Sequence, residues 1–463
     1  GYSEWSLRLF PLLCGVGSLF LFRRLAARLL SGWSYVLAVA CLAVAKAPVG
    51  LSCDVKPYSC DLLVASGLLL LTVEWFHRPH ETRWLRRLAV ALPVGVFFSY
   101  PTLFVGAAIS LAVCGTLLVR AVRAHRTSAG AGLITPEIRG NWSGLLAFHL
   151  SLAVAAAAVV WKISRPEAGL VRAFMDECWS SMGGFPPLTE PWKFVLWFVD
   201  VHFGEKIFAI PYAAENGGGL VCCGLCVLGA VILYRRGERG LVAVCLAMFG
   251  LTFAASVIHR YPYGGHIRLV QFLMPGVTLA VGAGAAAALE CLRYPVGRRV
   301  ACGALAVLVL FGGGRAVREV LRPWDYLPDH EHREFARRFW EDESHGLTVC
   351  AQADLRQNFS PGSWDTYYRC NQFIYSRRHH AGQLTTAQKV NELQQPFRLV
   401  VYRAPRDKFN TAALECCLNQ FEGNFELVGR ECYQMPLKDG WFDMYGCYEV
   451  YRFQPRQQFA QNE

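Results

Sequence analysis

Ten hydrophobic runs leave this 463-residue chain few options: near residues 7–22, 33–49, 61–76, 85–98, 101–119, 143–161, 219–234, 241–258, 269–290 and 300–314. A bilayer offers no water to backbone N–H and C=O groups, so runs of this kind enter it as helices. A full crossing takes about 20 residues, and the shorter runs need help from neighbours or local thinning. Runs four and five are joined by Ser99-Tyr100-Pro101, short enough for either two crossings or a re-entrant hairpin. Charged residues make up 17% of the chain, against about 25% in an ordinary soluble domain. That excludes a disordered chain, a collagen-like fibre and a small disulfide scaffold.

The turns between runs are unequal. One alternating set carries Arg23, Arg24 and Arg28; Arg78, Arg83, Arg86 and Arg87; Arg120, Arg123, Arg126 and Arg139; Arg235, Arg236 and Arg239; and Arg293, Arg298 and Arg299. The other set holds Lys56, nothing at 99–100, a scatter over 162–218, then Arg260 and Arg268. The positive-inside rule makes the arginine-rich set cytoplasmic. The chain's net charge of +11 sits before residue 323 in these turns, with no Lys/Arg stripe interleaved with aromatics, so nucleic acid is not expected as a partner. The expectation is an integral protein of a bacterial inner (plasma) membrane whose carboxyl-terminal part lies outside the cytoplasm. The amino terminus would also lie outside, and Gly1 is not a methionine. The reading therefore expects at least one membrane helix and an outer loop upstream of Gly1.

Two domains are expected: a multi-helix membrane domain over 1–322 and an extracytoplasmic α/β domain over 323–463. In the latter, Leu347–Ala353, Arg398–Ala404 and Tyr448–Phe453 read as strands. Helices are expected near 329–343, 384–394 and 410–422, with Asp329 and Asn410 as N-caps. Of 18 cysteines, those in the tail could form disulfides in an oxidising compartment, and Cys53 could pair with Cys60; free buried thiols are the alternative. The CxxC at Cys223–Cys226 lies in an apolar run with no charge to make a thiolate. His330-Glu331-His332 and His379-His380 lack metal-ligand spacing and read as solvated surface. No Walker-type loop is present. Asn358-Phe359-Ser360 is a sequon whose use depends on the host.

Chemistry-bearing residues gather at the outer ends of the runs. Lys46 precedes Pro48, and the next loop reads Asp54-Val55-Lys56-Pro57-Tyr58-Ser59-Cys60-Asp61. Lys162 ends run six, and His259-Arg260-Tyr261-Pro262-Tyr263-Gly264-Gly265-His266-Ile267-Arg268 joins runs eight and nine. Each has an ordinary alternative: Asp61 as a first-turn acid, the lysines as snorkelling side chains, Tyr261 and Tyr263 as belt aromatics. His149, inside run six, reads as a packing histidine. Arg260 and Arg268 resist that treatment because they break the charge rule in a short outer loop. A carboxylate beside several cations at one water–lipid boundary suits a lipid-linked phosphate. The 162–218 stretch carries aromatic-rich segments, 172–179 and 191–198, expected to lie in the interface, either over a lipid's access path or against the tail.

Together these pieces resemble the GT-C class of integral-membrane glycosyltransferases, in the branch of protein O-mannosyltransferases and lipid A aminoarabinose transferase. The resemblance rests on Ser3–Pro11 before a helix ending Arg23-Arg24, on Lys56–Asp61, on Ser99–Pro101 and on Tyr261–Arg268. It implies a polyprenyl-phosphate sugar donor used at the outer face, with an acceptor the sequence does not identify. It also implies a catalytic base in a first outer loop, which would precede Gly1. Asp61 matches the family's later acid, which supports catalysis through substrate or metal positioning. Lys56 and Tyr58 match polar positions before that acid, and Arg260, His266 and Arg268 occupy the loop of phosphate-binding cations. A divalent metal is the one cofactor left open. The competing reading is a lipid or polysaccharide transporter or flippase, which would place ionisable groups near the midplane; a third is a scaffold whose tail binds a partner.

Overall fold

The computed structural model describes residues 4–127, 136–163, 169, 176–204, 206–208, 217–292, 299, 302, 303, 306, 307, 309–314, 317, 318, 339, 347–353, 390–392, 394–403, 411–433 and 447–456. The chain divides into two compact units, Gly1–Val317 and Arg318–Glu463. In the first, the helices are α1 (Glu4–Leu29), α2 (Gly32–Ala43), α3 (Lys46–Leu51), α4 (Tyr58–His77), α5 (Arg83–Phe98), α6 (Thr102–Thr127) and α7 (Pro136–Ile163). They are followed by α8 (Pro191–Phe203), α9 (Gly218–Arg235), α10 (Arg239–Val257), a 3-10 segment Ile267–Leu273, and α11 (Met274–Glu290). Among the described residues seven helices are long and apolar enough to cross a membrane: α1, α4, α6, α7, α9, α10 and the run from the 3-10 segment through α11. This is an integral membrane protein.

Nine of the ten expected runs coincide with helices, and the described residues of run ten, 302, 303, 306, 307 and 309–314, are helical too. Run two is not one continuous crossing but α2 followed by the short α3. Proline explains the break: the ring of Pro48 cannot sit over the carbonyl four residues back, that of Val44. The helix stops there, with the Val44 N–H bonded to Ala40 O at 3.1 Å and the Ala45 N–H to Leu42 O at 3.3 Å. Helices α5 and α6 diverge from their shared turn, α5 packing on α7 and α4 and α6 on α10.

Helix α11 is the spine of the bundle. A Cβ on Gly284 would fall 2.0 Å from Leu225 O, one on Gly229 1.7 Å from Ala280 O, and one on Gly282 2.5 Å from the Ala38 Cβ. Backbones meet this closely only where side chains are absent, the usual device of helix pairs in lipid. Here it lets α9 and α2 clasp α11 from two sides.

Side-chain bridges gather the turns into two sets. Arg28 Nε meets Glu74 Oε1 at 2.8 Å, tying the ends of α1 and α4. His77 lies 3.0 Å from Glu238, and the Thr82 hydroxyl donates to Gly140 O at 2.9 Å. Asn141 Nδ2 donates to Pro79 O at 2.6 Å, and Arg86 to the Ser143 hydroxyl at 3.0 Å. All of these belong to the arginine-rich turns. The turns around 51–61, 99–102 and 258–268 lie at the other ends of the same helices.

The second unit is a sheet of β1 (Leu347–Ala353), β2 (Phe397–Arg403), β3 (Phe425–Tyr433) and β4 (Cys447–Pro455) in the order β1-β2-β4-β3, with β1 parallel to β2 and the β2–β4 and β4–β3 pairs antiparallel. Helix α12 (Thr411–Glu422) covers one face, where Phe397, Leu399, Phe421, Phe425, Tyr451 and Phe453 form the core. Strands β1, β2 and β4 (Cys447–Pro455) fall where the sequence placed them. Strand β3 (Phe425–Tyr433) was not anticipated, because a bulge at Leu427/Gly429 and an exposed edge erase its alternation. Asp329, Asn410, most of 329–343 and 384–394, Asn358 and both histidine pairs lie outside the described residues.

Candidate functional site

The end of the bundle opposite the arginine-rich turns holds a polar niche. Asp61 stands in the first turn of α4, where the helix dipole favours an acid, yet only 4% of it is exposed. Its Oδ1 has no hydrogen-bond partner among the described residues, and neither do the Ser99 hydroxyl and the Thr102 hydroxyl. The Ser99 hydroxyl stands beside the carboxylate but outside hydrogen-bond geometry. Native interiors rarely leave such groups unpaired, so several unpaired polar atoms in one place describe a position shaped for something else.

Cations flank the niche. Arg268, at the start of the 3-10 segment, lies 6.0 Å from the Tyr58 ring centre and 5.1 Å from that of Trp179. Its Nε is buried without a partner. Lys56 lies close enough to Arg268 to feel its charge; desolvation first, then Arg268, lower the Lys56 pKa, while Asp54 opposes them. Lys206 donates to Gly265 O at 3.2 Å. His266 caps the 3-10 segment by accepting the Arg268 N–H at Nδ1, 3.1 Å, which requires an unprotonated nitrogen there. By surface area His266 is exposed, but the loop around it is dense. Desolvation, then the charges of Arg268, Lys206 and Lys56, push its pKa down to about 4. The neutral ring is thus the form that the cap and the neighbouring cations both favour. Tyr261, held by its hydroxyl's bond to Leu269 O at 2.7 Å, has a raised pKa from burial and then from the charges of Asp61 and Tyr58.

The structure therefore brings Lys56, Tyr58, Asp61, His266 and Arg268 together. Arg260 does not join them. It is exposed and makes no side-chain bond or ring contact among the described residues. The reason is local: α10 ends in a turn with His259 at φ 53° and the Arg260 N–H bonded back to Ala255 O. Lys162 sits aside as well, 5.7 Å from the Tyr100 ring centre. Sequence reasoning missed Ser99, Lys206 and Trp179 as members of the niche. For Lys206 and Trp179 no spacing signal exists, since both come from the long 162–218 stretch.

That stretch fastens to the loop before α11. The Asp176 carboxylate meets His259 Nδ1 at 2.9 Å, and Phe185 stacks on the His259 ring at 4.3 Å. The Tyr263 N–H donates to Gly184 O at 2.9 Å, and Trp197 Nε1 to Gly183 O at 2.7 Å. Gly264 comes so close that a Cβ there would lie 2.8 Å from Gly183 O. His202, its pKa lowered by burial, accepts at Nε2 from the Tyr263 hydroxyl, 3.0 Å, while Nδ1 bonds Phe198 O. These contacts join the described residues of the stretch to the loop before α11.

Cys60 turns inward, its Sγ 3.5 Å from that of Cys14. Cys53 stays exposed and free, so the Cys53–Cys60 pairing is not present. Among the described residues no three of His, Cys, Asp and Glu gather as metal ligands. One buried carboxylate falls short of the oxygen set that a hard divalent cation takes.

No known family model matches the sequence, and no characterised sequence matches it significantly. In structure, the chain is similar along nearly its whole length to GT-C membrane glycosyltransferases. One is ArnT from Cupriavidus metallidurans in the apo state, with 12% identity, a TM-score of 0.47, and coverage of 97% of this chain and 84% of that one. The same protein bound to undecaprenyl phosphate gives 11% identity and a TM-score of 0.43 over the same shares. Another is the archaeal oligosaccharyltransferase AglB from Archaeoglobus fulgidus, in complex with an inhibitory peptide and a dolichol-phosphate. It gives 10% identity and a TM-score of 0.42, covering 86% of this chain and 58% of that one. At such identities the likeness concerns the path of the chain alone.

Proposed function

We propose that this protein is a membrane glycosyltransferase that moves a sugar from a polyprenyl-phosphate donor to an acceptor at the outer face of the membrane. The observation that carries the reading is the buried Asp61 carboxylate, one oxygen unpartnered, at the same end of the bundle as Lys56, Lys206 and Arg268. In transfer, the bond from the anomeric carbon to the lipid phosphate breaks through an oxocarbenium-like state as the acceptor oxygen bonds to that carbon, and the acceptor's proton passes to the leaving phosphate. Arg268, through its unpaired guanidinium N–H, Lys56 and Lys206 would stabilise the charge gathering on that phosphate. Neutral His266 leaves this charge undivided and offers a ring N–H. Asp61 would hold the sugar or the acceptor hydroxyl by accepting a hydrogen bond, the supporting role that the resemblance implies for it. Tyr58 and Trp179 supply aromatic walls. No step here runs through a metal.

Removing one donor to developing charge costs about 3 kcal/mol, a hundredfold or more in rate. The test is transfer of radiolabelled sugar from polyprenyl phosphate in membranes containing the full-length protein. Arg268→Ala and Asp61→Asn should lower transfer about 100-fold or more while leaving the folded yield intact. Wild-type rates in both variants would remove these residues from the site. The transporter reading is disfavoured by placement: among the described residues the interiors of the crossing helices carry no Asp, Glu, Lys or Arg, and the charges stand at helix ends.

A further inference from the structure

A second basic site lies between α1 and α2, at the arginine-rich end and away from Asp61. A cavity of about 480 Å³ is lined by Phe20, Leu21, Arg23, Arg24, Ala27 and Tyr35. Arg28, one turn on, is neutralised by Glu74. Arg23 instead donates from Nε to the Tyr35 hydroxyl at 3.2 Å, and Arg24 makes no ion pair or hydrogen bond among the described residues. Two cations thus meet at one cavity, with no acid paired to either among the described residues. Tyr35 keeps its own O–H free to donate. Phe20, 62% exposed, lies one helical turn from Arg24 toward the middle of the membrane and gives the cavity an apolar wall.

We propose that this cavity binds the headgroup of an anionic phospholipid. The phosphodiester would sit against Arg23, Arg24 and the Tyr35 hydroxyl, with the first carbons of an acyl chain along Phe20 and Ala27. Guanidinium forks match phosphate oxygens two at a time, and basic pockets between membrane helices are where anionic headgroups settle. A free phosphate ion would use the two arginines but leave the apolar wall without a purpose. This site is independent of sugar transfer.

The test is native mass spectrometry of the full chain released from micelles. The ligands are dioleoyl phosphatidylglycerol, dioleoyl phosphatidylcholine and inorganic phosphate, each offered separately and phosphate also in competition. The wild type should hold phosphatidylglycerol at least fivefold more than phosphatidylcholine, and millimolar phosphate should not displace it. Arg23→Gln with Arg24→Gln should abolish the preference, whereas Arg86→Gln, which removes another arginine from the same end, should leave it. Tyr35→Phe keeps the ring and should halve the preference, which carries the test if the double variant is unstable. Equal retention of the two lipids, displacement by phosphate, or a preference that survives in the variants would overturn the proposal.

Discussion

Helix α4 carries a buried carboxylate at each end, and the two are treated in opposite ways. Glu74, in its last turn, is 5% exposed and is clamped by Arg28 at 2.8 Å and more loosely by Arg78 at 4.0 Å. Asp61, in its first turn about 20 Å away at 1.5 Å per residue, is as deeply buried. It has no ion pair among the described residues, and one oxygen without a partner. Both are buried acids on the same helix, so burial alone does not mark a site. Glu74's interactions are internally complete, and its role is to join α1 to α4. Asp61's are incomplete, as is Arg268's Nε, and completion from outside the chain is what a ligand provides.

Exchanging the roles of the two ends gives the largest expected effect. Asp61→Asn or Arg268→Ala should lower sugar transfer by a factor of about 100 to 1000 with little change in thermal stability, as read by the membrane assay and a melting curve. Glu74→Gln should do the reverse. It leaves Arg28 and Arg78 unpaired and costs about 1–2 kcal/mol, between the values for exposed and buried pairs, while transfer stays within twofold. Loss of transfer in Glu74→Gln at unchanged stability would erase the distinction between the ends.

A smaller effect is a titration. Because the folded His266 pKa lies near 4 and the unfolded value near 6.5, the unfolded chain binds the extra proton between them. The stability due to the neutral ring is therefore complete above about pH 6.5 and is lost as pH falls toward 4. Carbon-13 NMR of labelled histidine should show this ring neutral at pH 5.5. A phosphate-bearing lipid at the niche should raise its pKa, since an anion beside Lys56, Lys206 and Arg268 cancels their repulsion. A titration near 6.5 in the lipid-free protein would contradict the packing described. The smallest effect belongs to Arg260→Ala, which should alter transfer less than twofold and stability by under about 0.5 kcal/mol, as for other surface positions.

Much of this arrangement is visible in the sequence. Helix positions follow from apolar runs, and the separation of the turns into two sets follows from arginine placement, which the Arg28–Glu74 and Thr82–Gly140 bridges later join in space. Asp61, Lys56 and Arg268 stand out as charges at the less basic ends. Arg260 stands out equally, and what separates it from Arg268 is a helix-ending turn set by backbone geometry. Lys206 and Trp179 enter the niche because the 176–208 stretch docks through Gly183, Gly184 and Gly264, glycines whose meaning appears only when two backbones meet. The break in run two was written in Pro48, but its consequence depends on the carbonyl of Val44 having nowhere to go. Strand β3 hides for a different reason: an edge strand with a bulge buries too little to show a period.

The central claim is that the end of the bundle bearing Asp61 receives a lipid phosphate. Cryo-electron microscopy of the full-length protein in nanodiscs, with a polyprenyl phosphate added, addresses it most directly. Phosphate density should lie within hydrogen-bonding reach of Arg268, with Lys56 and Lys206 around it and Asp61 nearby. Polyprenyl phosphate density only among the arginine-rich turns, or an empty niche at saturating lipid, would contradict it.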